Sequence, residues 1–341
     1  MSLAPGTRLG PYELLAPIGA ESDHRYKASD TRLNRVVTIK VLPPEFSENP
    51  GMKERLERDS RTISSLNHPQ ICALVDVGHQ DPSTDFLVAE YVEGESLAQR
   101  LARGPMALDE VLKLAVAIAD TLDKAHRQGI IHGGLNPSVV LLTAGEPKLL
   151  DFGLAKLNEA TASGSSASIA VTRTSIRSLS GAPTFAAPYM APEQFAGGEA
   201  DARSDIFSFG AMLYEMVTGG PAFQEKTLAL LIAAVQSVDP EPVAKAQPMA
   251  PPALDHVIRR CLSKDPRQRL QTAWDLMMQL QWIAEGGSQV GIPAQPWRHC
   301  NAGMGVGVGV RLTQPCGNRR KLRPRLLERH VRVQASDHFE P

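Results

Sequence analysis

The first quarter of the chain is patterned for short β-strands separated by turns. Residues 36–42 form an apolar run interrupted only by Thr38 and Lys40, which share one face because strand side chains alternate with a period of two. A second short strand is predicted over residues 86–91. Between them, residues 53–66 carry apolar side chains at helical spacing, so one helix is expected to separate the strands.

From residue 95 to residue 285 the pattern is mostly helical. Residues 107–127 place apolar side chains on one helical face, and Gly129 follows as a suitable C-terminal stop. Residues 205–218 and 253–262 show the same periodicity. The chain is therefore expected to pass from a strand-rich part to a helix-rich part.

Two segments lack either periodicity. Residues 157–183 are rich in Ser, Thr, Ala and Gly and are predicted to form a mobile loop. Residues 286–341 are predicted to be a disordered tail, which from residue 298 holds nine Lys and Arg against three Asp and Glu. That tail carries a formal charge of +6 and leaves −7 on the remainder, since the whole chain is at −1. A basic tail could bind an acidic partner, but an unfolded tail with no binding role is the favoured interpretation.

Composition agrees with a globular protein of more than one lobe. The 341 residues are 43% hydrophobic and 21% charged, and the net charge of −1 gives no indication of a nucleic-acid partner. No signal peptide is visible at the N-terminus, and no apolar stretch reaches the roughly 18 residues that a membrane helix needs. The four cysteines do not form a CxxC pair, so reduced thiols in a cytoplasmic protein are predicted rather than a zinc site or disulfides. They are Cys72, Cys261, Cys300 and Cys316.

Seven short motifs follow one another along the chain. Any one tripeptide would be weak evidence, but the ordered set at these spacings is specific. The motifs are Ile18-Gly19-Ala20, Val37-Thr38-Ile39-Lys40, Ile131-His132-Gly133-Gly134-Leu135-Asn136-Pro137, Asp151-Phe152-Gly153, Ala191-Pro192-Glu193, Asp205-Ile206-Phe207-Ser208-Phe209-Gly210 and Asp265-Pro266-Arg267-Gln268-Arg269. With this set, residues 12–285 resemble a bacterial Ser/Thr protein kinase.

The resemblance implies an α+β, two-lobed protein kinase-like fold. A small β-rich N-lobe is expected over residues 12–91 and a larger helical C-lobe over residues 92–285, with ATP bound in the cleft between them and the basic tail, 286–341, beyond. The positions expected to contact ATP are Ile18, Gly19, Lys40, Asp59, Glu90, Val92, Leu141 and Asp151.

Two of these positions carry the chemistry that the family needs. By resemblance, Lys40 grips the α- and β-phosphates and Asp151 binds one Mg²⁺ ion. Asp59 replaces the glutamate that pairs with the strand lysine, with one methylene less of reach.

Other matched positions maintain the architecture of the family. Glu193 is expected to pair with Arg269, and Asp205 is expected to accept hydrogen bonds from the backbone around His132. An internal stack of side chains is expected to join the two lobes. Its members are Ile63, Leu74, His132 and Phe152.

The catalytic loop departs from the family pattern HRDLKPxN. Gly134 takes the place of the catalytic aspartate, Asn136 that of the phosphoryl-neutralising lysine, and Val139 that of the asparagine that holds a second metal. Gly133 replaces the arginine that anchors a phosphorylated activation loop, and Ala186 replaces a threonine that contacts the missing aspartate and lysine. Neither glycine nor valine offers a proton acceptor or a metal ligand.

The phosphate-covering loop is also altered. Gly19 is the one glycine that it keeps, and the loop is one residue short before Tyr26. Glycines let backbone amides approach phosphates, whereas the replacements bring negative charge. Those that follow Gly19 are Ala20, Glu21, Ser22, Asp23 and His24.

These departures predict a catalytically impaired kinase domain, a pseudokinase. We expect a signalling switch or scaffold with weakened ATP binding and a protein partner, either an active kinase or its substrate. Ten Ser and Thr residues lie between Thr161 and Ser180 and could accept phosphate from such a kinase, with Arg173 and Arg177 near enough in sequence to pair with it.

Two other interpretations remain open. An active Ser/Thr kinase with a displaced base is favoured by the presence of Lys40 and Asp151, but residues 129–142 contain no carboxylate. Alternatively, the cleft binds another ligand, for which the small side chain of Ala89 would leave room.

Overall fold

A computed structural model describes residues 3–19, 24–42, 60, 64, 68–80, 84–144, 146–152 and 186–286. All of them belong to one compact unit, residues 1–292. The predicted helix at 53–66 lies outside the described residues except for Ser60 and Ser64, which are helical. The predicted loop at 157–183 and the tail from residue 287 also lie outside them.

The N-terminal part is a six-stranded antiparallel sheet in which the first four strands follow chain order and the sixth lies between the fourth and the fifth. Both strands predicted from the sequence are present in it, and each begins or ends within two residues of its predicted bounds. The strands are β1 (Arg8–Leu9), β2 (Tyr12–Ile18), β3 (Arg25–Asp30), β4 (Arg35–Val41), β5 (Leu74–Gln80) and β6 (Thr84–Glu90).

Alternation along β4 separates a core face from a cleft face. Val37 and Ile39 are buried in the small hydrophobic core of this sheet, together with Tyr12 and Phe86, whose rings meet edge to face. Thr38 lies on the opposite face of the strand because its side chain points away from that core.

The remainder of the described chain is mainly helical. It contains α1 (Leu97–Leu101), α2 (Leu108–Arg127), α3 (Pro192–Phe195), α4 (Ala202–Thr218), α5 (Leu228–Ser237), α6 (Val243–Ala246), α7 (Pro252–Cys261) and α8 (Ala273–Gly286). A small sheet of β7 (Glu95–Ser96), β8 (Val140–Leu142) and β9 (Pro147–Leu149) lies at its start, and 3₁₀ turns cover Pro137–Val139, Ala187–Tyr189 and Pro266–Gln268.

Helix α2 matches its prediction to within one residue, whereas α4 begins three residues earlier than predicted. The earlier start has a local cause: Asp201 accepts hydrogen bonds from the backbone N–H groups of Arg203 and Ser204 and so caps the helix. Gly219 ends α4 at a φ of +79°, a conformation that glycine adopts without strain.

The described residues confirm the predicted fold class, a β-rich lobe followed by a larger helical lobe. The exact lobe boundaries at 91 and 285 stay predictions. Within the part of the chain that the structure describes, none of the helices combines the length and apolar character needed to cross a bilayer.

Candidate functional site

A cleft of about 500 Å³ lies between the six-stranded sheet and the helical lobe. Seven of the eight predicted ATP-contacting positions line it, and the eighth, Asp59, lies outside the described residues. Their role in nucleotide binding remains a prediction, but the fold brings them to one place. The seven are Ile18, Gly19, Lys40, Glu90, Val92, Leu141 and Asp151.

One end of the cleft is apolar and bounded by backbone. Leu74 and Ala89 line this end, as does Thr38 from the cleft face of β4. The Glu90 carboxylate accepts hydrogen bonds from Lys148 Nζ at 2.5 Å and from the backbone N–H of Ala73 at 3.2 Å. Cross-strand pairing places Thr38 and Leu74 beside Ala89, so these three side chains lie together in the cleft.

Asp151 occupies the charged end of the cleft. Its Oδ2 atom accepts from Lys40 Nζ at 2.6 Å and from Arg25 Nη2 at 2.5 Å. Burial alone would raise the pKa of Asp151, but the two cations outweigh it and hold that pKa well below its usual range, so the carboxylate is ionised. The residue sits at a φ of +60°, a left-handed conformation that is uncommon outside glycine and recurs at functional sites.

Sequence reasoning missed Arg25 as a residue of this site. The signal that could have found it is the strand register: Arg25 lies directly opposite Lys40 in the β3–β4 ladder, so both side chains leave the same face of the sheet. Cys72 and Ser138 also line the cleft without having been predicted to do so. Burial raises the pKa of the Cys72 thiol to about 12, so this thiol is neutral.

The described residues around Asp151 would compete with a magnesium ion for its carboxylate. In nucleotide sites Mg²⁺ is usually held by one or two carboxylates together with water and phosphate oxygens, but Oδ2 of Asp151 is already engaged by two cations and Val139 has no donor atom. Among the described residues, no three His, Cys, Asp or Glu side chains come together as a metal-binding group. The single metal site predicted through Asp151 stays a prediction, and any metal there would meet a carboxylate oxygen that two cations already engage.

The Asn136 amide is hydrogen-bonded within the catalytic loop. Asn136 donates from Nδ2 to the carbonyl of Gly134 at 2.9 Å, and its Oδ1 accepts from the backbone N–H of Ser138 at 2.9 Å. Val139 is buried in the hydrophobic core of the helical lobe. Gly133 adopts a φ of +72°, where any side chain would be strained. The loop therefore directs none of these side chains toward a transferred phosphate.

The Asp205 carboxylate holds this loop in place, as predicted. It accepts from the backbone N–H of His132 at 2.8 Å and of Gly133 at 2.7 Å, and His126 Nε2 lies 2.8 Å from the same carboxylate. Gln194 adds a hydrogen bond from its Nε2 to the carbonyl of Gly133 at 2.8 Å. The backbone of the loop is anchored from two helices.

The predicted pair of Glu193 and Arg269 is also confirmed. Two parallel hydrogen bonds of 2.7 Å join the carboxylate to the guanidinium, and the Arg269 side chain is fully buried. Burial would raise the pKa of Glu193, but hydrogen bonds from Arg269 and Ser204 outweigh it and lower that pKa. Such a bidentate pair fixes both direction and distance.

The predicted internal stack is present as far as its members are described. The rings of His132 and Phe152 lie 4.8 Å apart, and Leu74 packs against the same core, whereas Ile63 falls outside the described residues. Burial lowers the pKa of His132, which favours a neutral ring. Ala186, the last predicted departure from the family pattern, directly precedes the turn Ala187–Tyr189. It is the N-cap residue of that turn, but its side chain makes no hydrogen bond to it.

Comparison with known proteins agrees with this geometry. The family model for the protein kinase domain matches residues 18–283. A probable serine/threonine-protein kinase of Streptomyces coelicolor is 34% identical over 81% of this chain and 40% of its own length. The serine/threonine-protein kinase PknD of Mycobacterium tuberculosis is 32% identical over 80% of this chain and 39% of its own. The chain thus spans about 40% of the length of these relatives.

Solved structures show the same fold. A crystal structure of the Mycobacterium tuberculosis PknI kinase domain superposes with a TM-score of 0.64 at 24% identity, covering 83% of this chain and all of that one. The relatives, the family model and the two-lobed architecture lead to one conclusion: this chain belongs to the protein kinase domain family and resembles its bacterial serine/threonine branch.

Proposed function

We propose that this kinase domain is catalytically impaired and works as a signalling switch or scaffold, with weakened ATP binding and a protein partner. One observation carries the proposal. At the position where phosphoryl transfer needs a carboxylate to take the hydroxyl proton, the loop has Gly134, and the neighbouring Asn136 amide is used within the loop itself.

Two of the three described carboxylates that line the cleft are already engaged by other groups. The carboxylates that line the cleft among the described residues are Glu90, Glu93 and Asp151. Glu90 is bound to Lys148 and to the backbone of Ala73 at the apolar end, and Asp151 is bound to two cations. This distribution disfavours the alternative of an active kinase with a displaced base, although that alternative still draws support from the presence of Lys40.

The groups missing from the catalytic loop normally contribute enough to the rate of phosphoryl transfer to predict impaired catalysis. A positioned general base contributes about 10²–10⁴ in rate, and typical kinases turn over at about 1–100 per second. Loss of the base alone therefore leaves about 10⁻⁴ to 1 per second. Loss of the lysine and of a metal ligand lowers the rate further, although such losses are not additive.

A switch or scaffold needs a stable fold and a surface that a partner can recognise. The stable fold is provided by two anchors of the helical lobe. They are the pair of Glu193 with Arg269 and the hydrogen bonds of Asp205 to the catalytic-loop backbone. The relatives are named as serine/threonine-protein kinases, so a partner that is itself an active kinase, or a kinase substrate, is the class we propose.

The proposal is tested by phosphate transfer from ATP to a Ser- and Thr-rich protein substrate such as casein, measured at steady state. We expect the native chain to turn over at least about 100-fold below typical kinases. Lys40→Met serves as the matched control: it removes a cation of the cleft, so any signal that it leaves unchanged does not arise from this cleft. Turnover at ordinary kinase rates that Lys40→Met abolishes would show an active kinase instead.

A further inference from the structure

Two cations from the six-stranded sheet converge on one carboxylate of the helical lobe. Arg25 and Lys40 are direct cross-strand partners, so their side chains project together into the cleft. Both donate to the same atom, Oδ2 of Asp151, at 2.5 Å and 2.6 Å. The contact links residues 126 and 111 positions apart, so it depends on the folded arrangement of both lobes.

This cluster is sheltered from water. The Arg25 side chain is 10% exposed, that of Asp151 is 19% exposed and that of Lys40 is 29% exposed. Charges in such a setting are screened much less than surface charges. Two positive groups and one negative group leave a formal charge of +1 at the end of the cleft where the resemblance places the phosphates of ATP.

We propose that the Arg25 guanidinium takes the place of the metal ion in this domain, so that the cleft binds the phosphate groups of a nucleoside di- or triphosphate without a divalent cation. The inference deepens the weakened nucleotide binding of the proposed function and rests on it. A guanidinium is always charged, and its planar fork matches the geometry of phosphate oxygens. Lys40 adds a second cation beside it.

A divalent metal would compete with this arrangement. To reach Asp151 Oδ2, the ion would have to displace the guanidinium and leave a nearly buried Arg25 next to a double positive charge. Val139 offers no ligand to compensate, because it is packed in the core. Arg25 and a divalent metal would therefore compete for the same oxygen atom, Oδ2 of Asp151.

The test measures binding rather than turnover. ADP is titrated onto the full chain by calorimetry, once in excess EDTA and once in excess Mg²⁺, with Arg25→Gln as the variant. Arg8→Gln is the matched control, since the Arg8 side chain is 73% exposed and pairs with Glu13 on the surface. Thermal unfolding of each variant checks that it is folded.

The native chain and Arg8→Gln are expected to bind ADP equally well with and without Mg²⁺. In EDTA, the affinity of Arg25→Gln for ADP is expected to be about 10- to 100-fold lower, which corresponds to the loss of one charge-assisted hydrogen bond. With Mg²⁺, part of this lost affinity should return because Asp151 becomes available to the metal. In parallel, Mn²⁺ followed by electron paramagnetic resonance should bind Arg25→Gln more tightly than the native chain.

Three results would overturn the inference: ADP binding by the native chain only when Mg²⁺ is present, no ADP binding in either condition, or unchanged affinity of Arg25→Gln in EDTA. If Arg25→Gln does not fold, Arg25→Lys takes its place, because it keeps the positive charge and removes the planar guanidinium group. An unchanged affinity of Arg25→Lys for ADP in EDTA would count equally against the inference. Slow phosphate transfer together with Mg²⁺-dependent binding would leave the proposed function standing while this inference fails.

Discussion

Two charged clusters in this domain both pair a carboxylate with cationic side chains, but they lie in regions with different roles. In the helical lobe, Arg269 is fully buried and its guanidinium is matched by the two oxygens of Glu193. In the cleft, Asp151 is matched by Arg25 and Lys40. The first cluster repeats what the family motifs imply, whereas the second adds a cation that those motifs do not contain.

The difference teaches that the pairing of buried charges can stabilise the scaffold in one region and occupy the groups of the cleft in another. Buried charges must be paired, and both clusters meet that requirement within the protein. In the helical lobe this stabilises the scaffold. In the cleft it engages Asp151 with two cations, and in the catalytic loop the Asn136 amide is hydrogen-bonded to the backbone of its neighbours. Predictions for the two regions therefore differ in kind.

The largest expected effect is on the buried pair of the helical lobe. Glu193→Ala should lower the free energy of unfolding by about 3–5 kcal/mol, because Arg269 is left buried without its counter-charge. Urea denaturation measures the change. Glu241→Ala is the matched control, since Glu241 and its partner Lys245 are 64% and 67% exposed, and it should cost less than about 1 kcal/mol.

The same pair predicts part of the acid sensitivity of the domain. Because the pKa of Glu193 is lowered by folding, its contribution is full above the pKa of the unfolded chain and is lost as the pH falls through the folded value. Glu193→Ala should therefore show a weaker loss of stability on acidification than the native chain. An equally steep loss in both, or equal costs of Glu193→Ala and Glu241→Ala, would contradict the importance given to this anchor.

A smaller effect is expected where the helical lobe holds the catalytic loop. Asp205→Asn removes the charge that accepts from the backbone of His132 and Gly133, and should cost about 2–3 kcal/mol in the free energy of unfolding. Asp201→Asn on the same helix is the control, because asparagine caps helices as well as aspartate does. Similar losses for both variants would show that the anchoring of the loop is not what Asp205 provides.

The smallest effect is expected inside the catalytic loop. Asn136→Ala removes the cap of the turn Pro137–Val139 and should cost about 1 kcal/mol. It should leave ADP binding unchanged, because both hydrogen-bonding ends of the amide are used within the loop. A clear loss of nucleotide affinity, measured by calorimetry on the folded variant, would mean that Asn136 serves the cleft after all.

Much of the scaffold could be predicted from the sequence because its signals are local. The alternation around Val37 and Ile39 gave the strand β4, and the apolar face of residues 107–127 gave helix α2 nearly to the residue. The pairing of Glu193 with Arg269 followed from motifs whose spacing reflects a shared fold. Periodicity and motif order are properties of the chain itself.

The cleft was less predictable because its decisive contacts are long-range. Nothing near Arg25 in sequence indicates a bond to Asp151, which lies 126 residues away on the other lobe. The hydrogen bond of the Asn136 amide within the catalytic loop and the burial of Val139 likewise depend on the three-dimensional path of that loop. Sequence reasoning named the residues that were absent, while the structure showed what the remaining groups do instead.

The central claim is that the cleft cannot move a phosphate at a useful rate even when nucleotide is bound. A single-turnover experiment tests it most directly: the chain is held in excess over γ-labelled ATP with a saturating Ser- and Thr-rich protein, and label on protein is followed in time. We predict that almost all label stays on ATP over a period in which a kinase turning over at about 1–100 per second would have finished its transfer. Rapid transfer of label to protein, absent in Lys40→Met, would contradict the account.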